Sequence, residues 1–93
     1  MIKSFGDKET EKLFQRDVSR SFPPEIIRKA RSKLEILDAA ENLDDLKVPP
    51  GNHLEKLSGD RAGQYSIRIN QQWRICFRWK ESNCFDVTIV DYH

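Results

Sequence analysis

The sequence is poor in the residues that build metal centres and disulfide frameworks. It has two cysteines and two histidines in 93 residues. Neither type falls in a CxxC or HxxxH spacing, so no zinc site is expected, and the site is expected to work without metal or cofactor. No run approaches the ~20 apolar residues of a membrane span, and "MIKSF" is far too short for a secretory core. A cytoplasmic protein with no membrane partner is therefore expected, with Cys76 and Cys84 reduced. Charge of one sign is also lacking. Lys and Arg total 16 against 15 Asp and Glu, a formal net charge of +1. Total charge does not announce a nucleic-acid binder, although a basic face can hide in a neutral sum. There is no internal repeat and no low-complexity segment, and the length suits one small domain over residues 1–93.

The N-terminal half is patterned for helices. "MIKSF" alternates weakly, as a short strand would. In "GDKETEKLFQRD", Asp7 can cap a short helix whose small apolar face is Leu13 and Phe14. "SRSFPP" ends it, because Pro23 and Pro24 cannot continue a helix. The same prolines suit the first turn of a second helix, "PEIIRKARSKLEILDAA". There Ile26, Ile27, Ala30, Leu34 and Leu37 form one stripe at three- and four-residue spacing. Arg28, Lys29, Arg31, Lys33 and Glu35 fall mostly off it and read as a solvated face. "ENLDDLKVPPGN" is a linker in which Leu43 and Leu46 can tuck onto the core, and "PPGN" is turn chemistry.

The period then changes to two. "HLEKLSGD", "RAGQYSIRIN", "QQWRICFRWK" and "CFDVTIVDYH" are four candidate strands with short connections, hence antiparallel hairpins. The expected fold is α+β, with two N-terminal helices packed on one face of a mainly antiparallel four- to five-stranded sheet.

Strand parity separates two faces. Tyr65, Ile67 and Ile69 share one side of their strand, as do Trp73, Ile75, Phe77 and Trp79 of the next, and these should meet the helices. Ser66, Arg68 and Asn70, with Arg74, Cys76 and Arg78, take the opposite side, and Arg61 in "GDRAG" falls at its rim. Arginine suits phosphate because its planar fork donates in pairs. Such a cluster can hold an RNA backbone, and a polar wet face explains it equally well.

The chain ends "VTIVDYH". Val87 and Ile89 share a parity with Asp91 and His93, and Val90 shares the other with Tyr92. His93 is the natural titrating group at neutral pH. Asp91 can orient it, and Tyr92 can stack on a base or bind a phosphate. A frayed polar tail is the plain alternative. RNA cleavage needs a base for the ribose 2′-OH, a cation for the phosphate and an acid for the leaving 5′-oxygen. His93, Asp91 and the arginines cover those roles.

Taken together, "MIKSF", "VPPGNHLEKLSGDRAGQYSIRINQQWRICFRW" and the closing "VDYH" resemble the HigB-type toxins of bacterial type II toxin–antitoxin systems, within the RelE/ParE superfamily. The resemblance covers nearly the whole length. It implies a RelE/ParE-like fold and a ribosome-dependent mRNA endoribonuclease that cuts the codon in the 30S A site against rRNA. It also implies neutralisation by a HigA-like helix-turn-helix antitoxin, with operator DNA bound only indirectly through that antitoxin. Carried over, it makes Asp91, Tyr92, His93 and Arg74 the catalytic candidates. Arg61, Arg68, Arg78, His53 and Lys56 become RNA-contact candidates. One departure stands out. Some relatives carry a histidine, as in "KLHPL", where this chain has Glu55, and the nearest histidine here is His53. Two other readings stay open: a gyrase-poisoning toxin like the ParE branch, and a non-catalytic antitoxin-binding module.

Overall fold

The computed structural model describes residues 1–17 and 21–92. Helix α1 spans Lys8–Phe14, and the Asp7 side chain caps it by accepting from the Thr10 amide at 2.7 Å. Helix α2 spans Pro24–Ala39, with its prolines at the start where a missing N–H costs nothing. Ile26, Ala30, Leu34 and Leu37 are buried as the stripe requires, and Ile27 is half-buried. The solvated-face reading fails at Lys33, which is buried. Its ammonium donates to the Asn52 side chain under the following loop.

Short 3₁₀ turns at Leu43–Lys47 and Pro50–Asn52 follow. Leu46 inserts fully into the core, and the Val48–Pro49 bond is cis. The sheet then runs as an antiparallel meander in the order β1-β2-β3-β4. Its strands are β1 (Glu55–Lys56), β2 (Tyr65–Arg68), β3 (Trp73–Lys80) and β4 (Asn83–Asp91). The first strand is far shorter than "HLEKLSGD" suggests. Leu57 still bonds to Gln64, but the chain then enters a 3₁₀ turn at Gly59–Arg61 and leaves the ladder.

The N-terminal segment supplies an incomplete fifth strand. Ile2 and Phe5 make parallel bridges to Cys84 and Val87, along the outer edge of β4. Gly6 is needed at this edge, because a Cβ there would collide with the Thr88 hydroxyl.

Ile67, Ile75, Phe77, Cys84, Val87 and Ile89 meet the helices in one core. Cys84 and Val87 are three apart yet both point inward. A bulge allows it: on β3, Cys76 and Arg78 are two apart, and their partners Thr88 and Phe85 on β4 are three apart. Asp86 takes a positive φ of 54° at this irregularity. Downstream of it the alternation is regular again, and it carries Val90 and Tyr92 onto the face away from the helices.

Candidate functional site

The face away from the helices is not uniformly wet. Arg68 and Arg74 are direct cross-strand partners, and Ser66 pairs with Cys76. Ser66 and Cys76 are fully buried, and Arg74 keeps only 6% of its surface. The loop before β1 reaches this end of the sheet, where the His53 carbonyl meets the Arg74 guanidinium.

Arg74 is held on three sides. Its Nε donates to the Ser66 hydroxyl at 2.8 Å. Its Nη2 donates to the His53 carbonyl at 2.6 Å and, more weakly, to the Ser66 carbonyl at 3.4 Å. Among the described residues Nη1 has only the Glu55 carboxylate, at 3.9 Å and more than half exposed. The Tyr92 ring lies 5.9 Å from the guanidinium carbon, at the outer range of a cation–π contact. One edge of a buried cation is thus presented to solvent, beside an aromatic ring and an exposed carboxylate.

Cys76 lies behind this edge. Burial pushes its thiol up, and the charges of Arg61 and Arg74 oppose the push. Arg61 is half-buried and donates to Gln64 at 3.4 Å. It therefore belongs to the same cationic field. Among the described residues, no side-chain hydrogen bond or ion pair holds Arg68 or Lys56. The His53 side chain is exposed while its backbone, at φ 44°, turns the carbonyl to Arg74.

Arg78 does not join the cluster. It lies four residues from Arg74 along β3, about 13 Å at the rise of a strand. Its Nε pairs with Asp86 at 3.4 Å, and both groups are about half exposed. The expected group of four arginines is therefore a set of three with one apart.

The chain end is tied down as far as it is described. The Tyr92 amide donates to the Gln72 carbonyl at 2.5 Å. The Gln72 side chain donates to the Asp91 carboxylate at 3.2 Å. Asp91 pairs with Trp73 and so sits at the sheet's end on the other parity from Tyr92. A cleft of about 510 Å³ beside Tyr92 is lined by Asn70, Gln71 and Gln72. Its amides are neutral donors and acceptors, suited to base edges rather than phosphate. His93 lies outside the described residues. Among the described residues, no three His, Cys, Asp or Glu side chains converge on a point that could hold a metal.

Sequence reasoning missed Ser66, Gln72 and Asn52. Ser66 was within reach, since its parity in "YSIRIN" puts it on the arginine face. Asn52 was not, because "PPGN" signals a turn and says nothing of a buried amide.

The chain matches the family model described as RelE-like toxin of type II toxin-antitoxin system HigB over residues 3–93. Toxin HigB-1 of Vibrio cholerae is 40% identical over 94 residues, covering 100% of this chain and 98% of that protein. Endoribonuclease HigB of Proteus vulgaris is 31% identical over 93 residues, covering 100% of both. Among solved structures, the YoeB–YefM complex of Staphylococcus aureus superposes with a TM-score of 0.62 at 16% identity, over 100% of this chain and 98% of that one. A mutant of YafQ from E. coli gives 0.65 at 14% identity, over 98% and 91%. At such identities the likeness is one of fold.

Proposed function

The chain belongs to the HigB-like family of RelE-like toxins of type II toxin–antitoxin systems, and on that footing we propose that it is an endoribonuclease that cuts translated mRNA on the ribosome. The observation that carries this reading is Arg74, a buried cation with Arg68 opposite it on the ladder, Arg61 in the same cationic field and the Tyr92 ring beside it. The relative named an endoribonuclease, aligned over the full length of both chains, supports it.

The 2′-oxygen of the ribose attacks the adjacent phosphorus. Its proton passes to a base, the bond from phosphorus to the 5′-oxygen breaks, and that oxygen takes a proton from an acid. The products are a 2′,3′-cyclic phosphate and a free 5′-hydroxyl. Arg74 suits the charge that builds on the phosphate, because its fork is oriented before the substrate arrives. His93 and Asp91 are assigned the proton transfers, with Glu55, 3.9 Å from the Arg74 guanidinium, and the neighbouring His53 as the groups that can share them. Tyr92 stacks on a base beside the cleft. Arg61, Arg68 and Lys56 hold flanking phosphates, with Arg78 at the far rim. General acid–base help is worth roughly 10²–10⁴-fold, so placement of the RNA by the ribosome supplies much of the remainder.

The partners in this reading are the ribosome, mRNA and a cognate helix-turn-helix antitoxin, with operator DNA reached only through the antitoxin. The solved YoeB–YefM assembly pairs a toxin and an antitoxin in a heterotetramer. Among the described residues no helix is long and apolar enough to cross a membrane, and the cytoplasm, where ribosomes are, is the proposed location.

The test is a map of new RNA 5′ ends in cells after the toxin is induced without antitoxin, with His93→Ala in parallel. Cuts inside translated reading frames that vanish in the variant are expected. Growth arrest without such cuts, or equal arrest in the variant, would overturn the reading in favour of a gyrase target.

A further inference from the structure

Lysine is among the residues least often buried, and then normally beside a counter-charge. Lys33 is 8% exposed in the core-facing part of α2. The partner its ammonium meets is the neutral side chain of Asn52. Burial, with Lys29 nearby, pushes its pKa down. A methionine would pack the same stem at lower cost, so the polar tip has a task.

Asn52 shows what the task is. It is fully buried, and every polar atom of its side chain is engaged. Oδ1 accepts from Lys33, while Nδ2 donates to the carbonyls of Leu46 and Val48 at 3.1 and 3.2 Å. Its backbone amide donates to Pro49 at 2.9 Å. One side chain therefore gathers residues 46–52 and fastens them to α2. The next residue is His53, at a positive φ of 44°, which is uncommon for a non-glycine residue. Its carbonyl is the shortest contact of Arg74.

We propose that the Lys33–Asn52 pair is a positioning latch for Arg74. Through Asn52 it fixes the loop whose next carbonyl, that of His53, clamps the guanidinium and leaves one edge for the scissile phosphate. Lys33 and Asn52 touch no substrate and act through His53 and Arg74. The catalytic part of this inference rests on the endoribonuclease reading above, while the clamp itself does not.

The experiment uses the full chain with Lys33→Met and Asn52→Ala. The first readout is the Nε–Hε signal of Arg74 in a nitrogen–proton correlation spectrum. In the wild type the bond to Ser66 should slow its exchange with water. In both variants the signal should shift and exchange at least several-fold faster. The second readout is cleavage on programmed ribosomes. The expected result is a kcat lower by about 10- to 100-fold with KM changed by less than about twofold. In an Arg74→Lys background the same substitutions should cost almost nothing more, since they act through that side chain.

An unchanged Arg74 signal, or a rate loss equal to the loss of folded protein, would overturn the latch. Should Asn52→Ala not fold, Lys33→Met decides, because it leaves the Asn52 bonds to the loop in place. Should the wild type itself not cleave, the proposed function falls and the Arg74 signal alone decides whether the clamp exists.

Discussion

Arg74 and Arg78 lie on the same strand and the same face, and they live in different surroundings. Arg74 is buried under the chain at His53 and bonded to Ser66 and His53. Arg78 is half exposed and pairs with Asp86. A cation fixed before substrate binds costs no reorganisation when charge develops on the phosphate. A solvated one attracts RNA and must be ordered each time it helps. Position in the ladder, rather than residue type, separates a buried, bonded guanidinium from a surface charge.

That contrast is broken most severely by Arg74→Ala. Cleavage should fall by about 10²–10³-fold in kcat, the scale for removing one preorganised donor. Stability should drop too, by about 2 to 3 kcal/mol, because the Ser66 hydroxyl and the His53 carbonyl lose a buried partner. Single-turnover cleavage and urea unfolding check the two effects separately. Ser66→Ala is the milder version. It removes the bond to Nε and leaves the His53 clamp, so a loss of about 10-fold in rate and about 1.5 kcal/mol is expected.

Arg78→Ala should act on binding rather than chemistry. Ribosome affinity should weaken modestly, and the slope of log affinity against log salt should fall by about one, the share of a single phosphate contact. Stability should change by less than about 0.5 kcal/mol, as for an exposed pair. A large kcat loss in Arg78→Ala would erase the distinction between the two arginines.

The α+β plan, the caps and stripe of the helices and the two sheet faces were legible because each depends on local spacing. Asp7 caps and Leu34 and Leu37 are buried as their periods require. The site was legible only in part. Parity grouped Arg68, Arg74 and Arg78, but it carries no information on which end a loop will cover. That depends on Asn52, beyond the end of α2 in a segment whose sequence signals only a turn. Lys33 misled for the same reason, since its partner lies nineteen residues away. The bulge at Asp86 was invisible as well, because it shows only when two strands are paired.

The smallest effect at neutral pH concerns the thiols. Burial raises Cys84 to about 11 from an ordinary value of 9.0. A raised folded-state value means the folded protein holds the proton more tightly than the unfolded chain does. The associated stability is complete below pH 9 and is lost as pH rises toward 11. Cys76 acts in the same direction and Lys33 in the opposite one. The difference in unfolding free energy between wild type and Cys84→Ala should therefore be constant near pH 7 and shrink above pH 9.

The most direct test sets Arg74→Lys beside Arg78→Lys, both checked for folding, in cleavage of mRNA on programmed ribosomes. Lysine keeps the charge and loses the fork that Ser66 and His53 hold. The expected result is a rate lower by about 100-fold at Arg74 and within about twofold of wild type at Arg78. Equal rates in the two variants would contradict a site built around one buried, preorganised arginine.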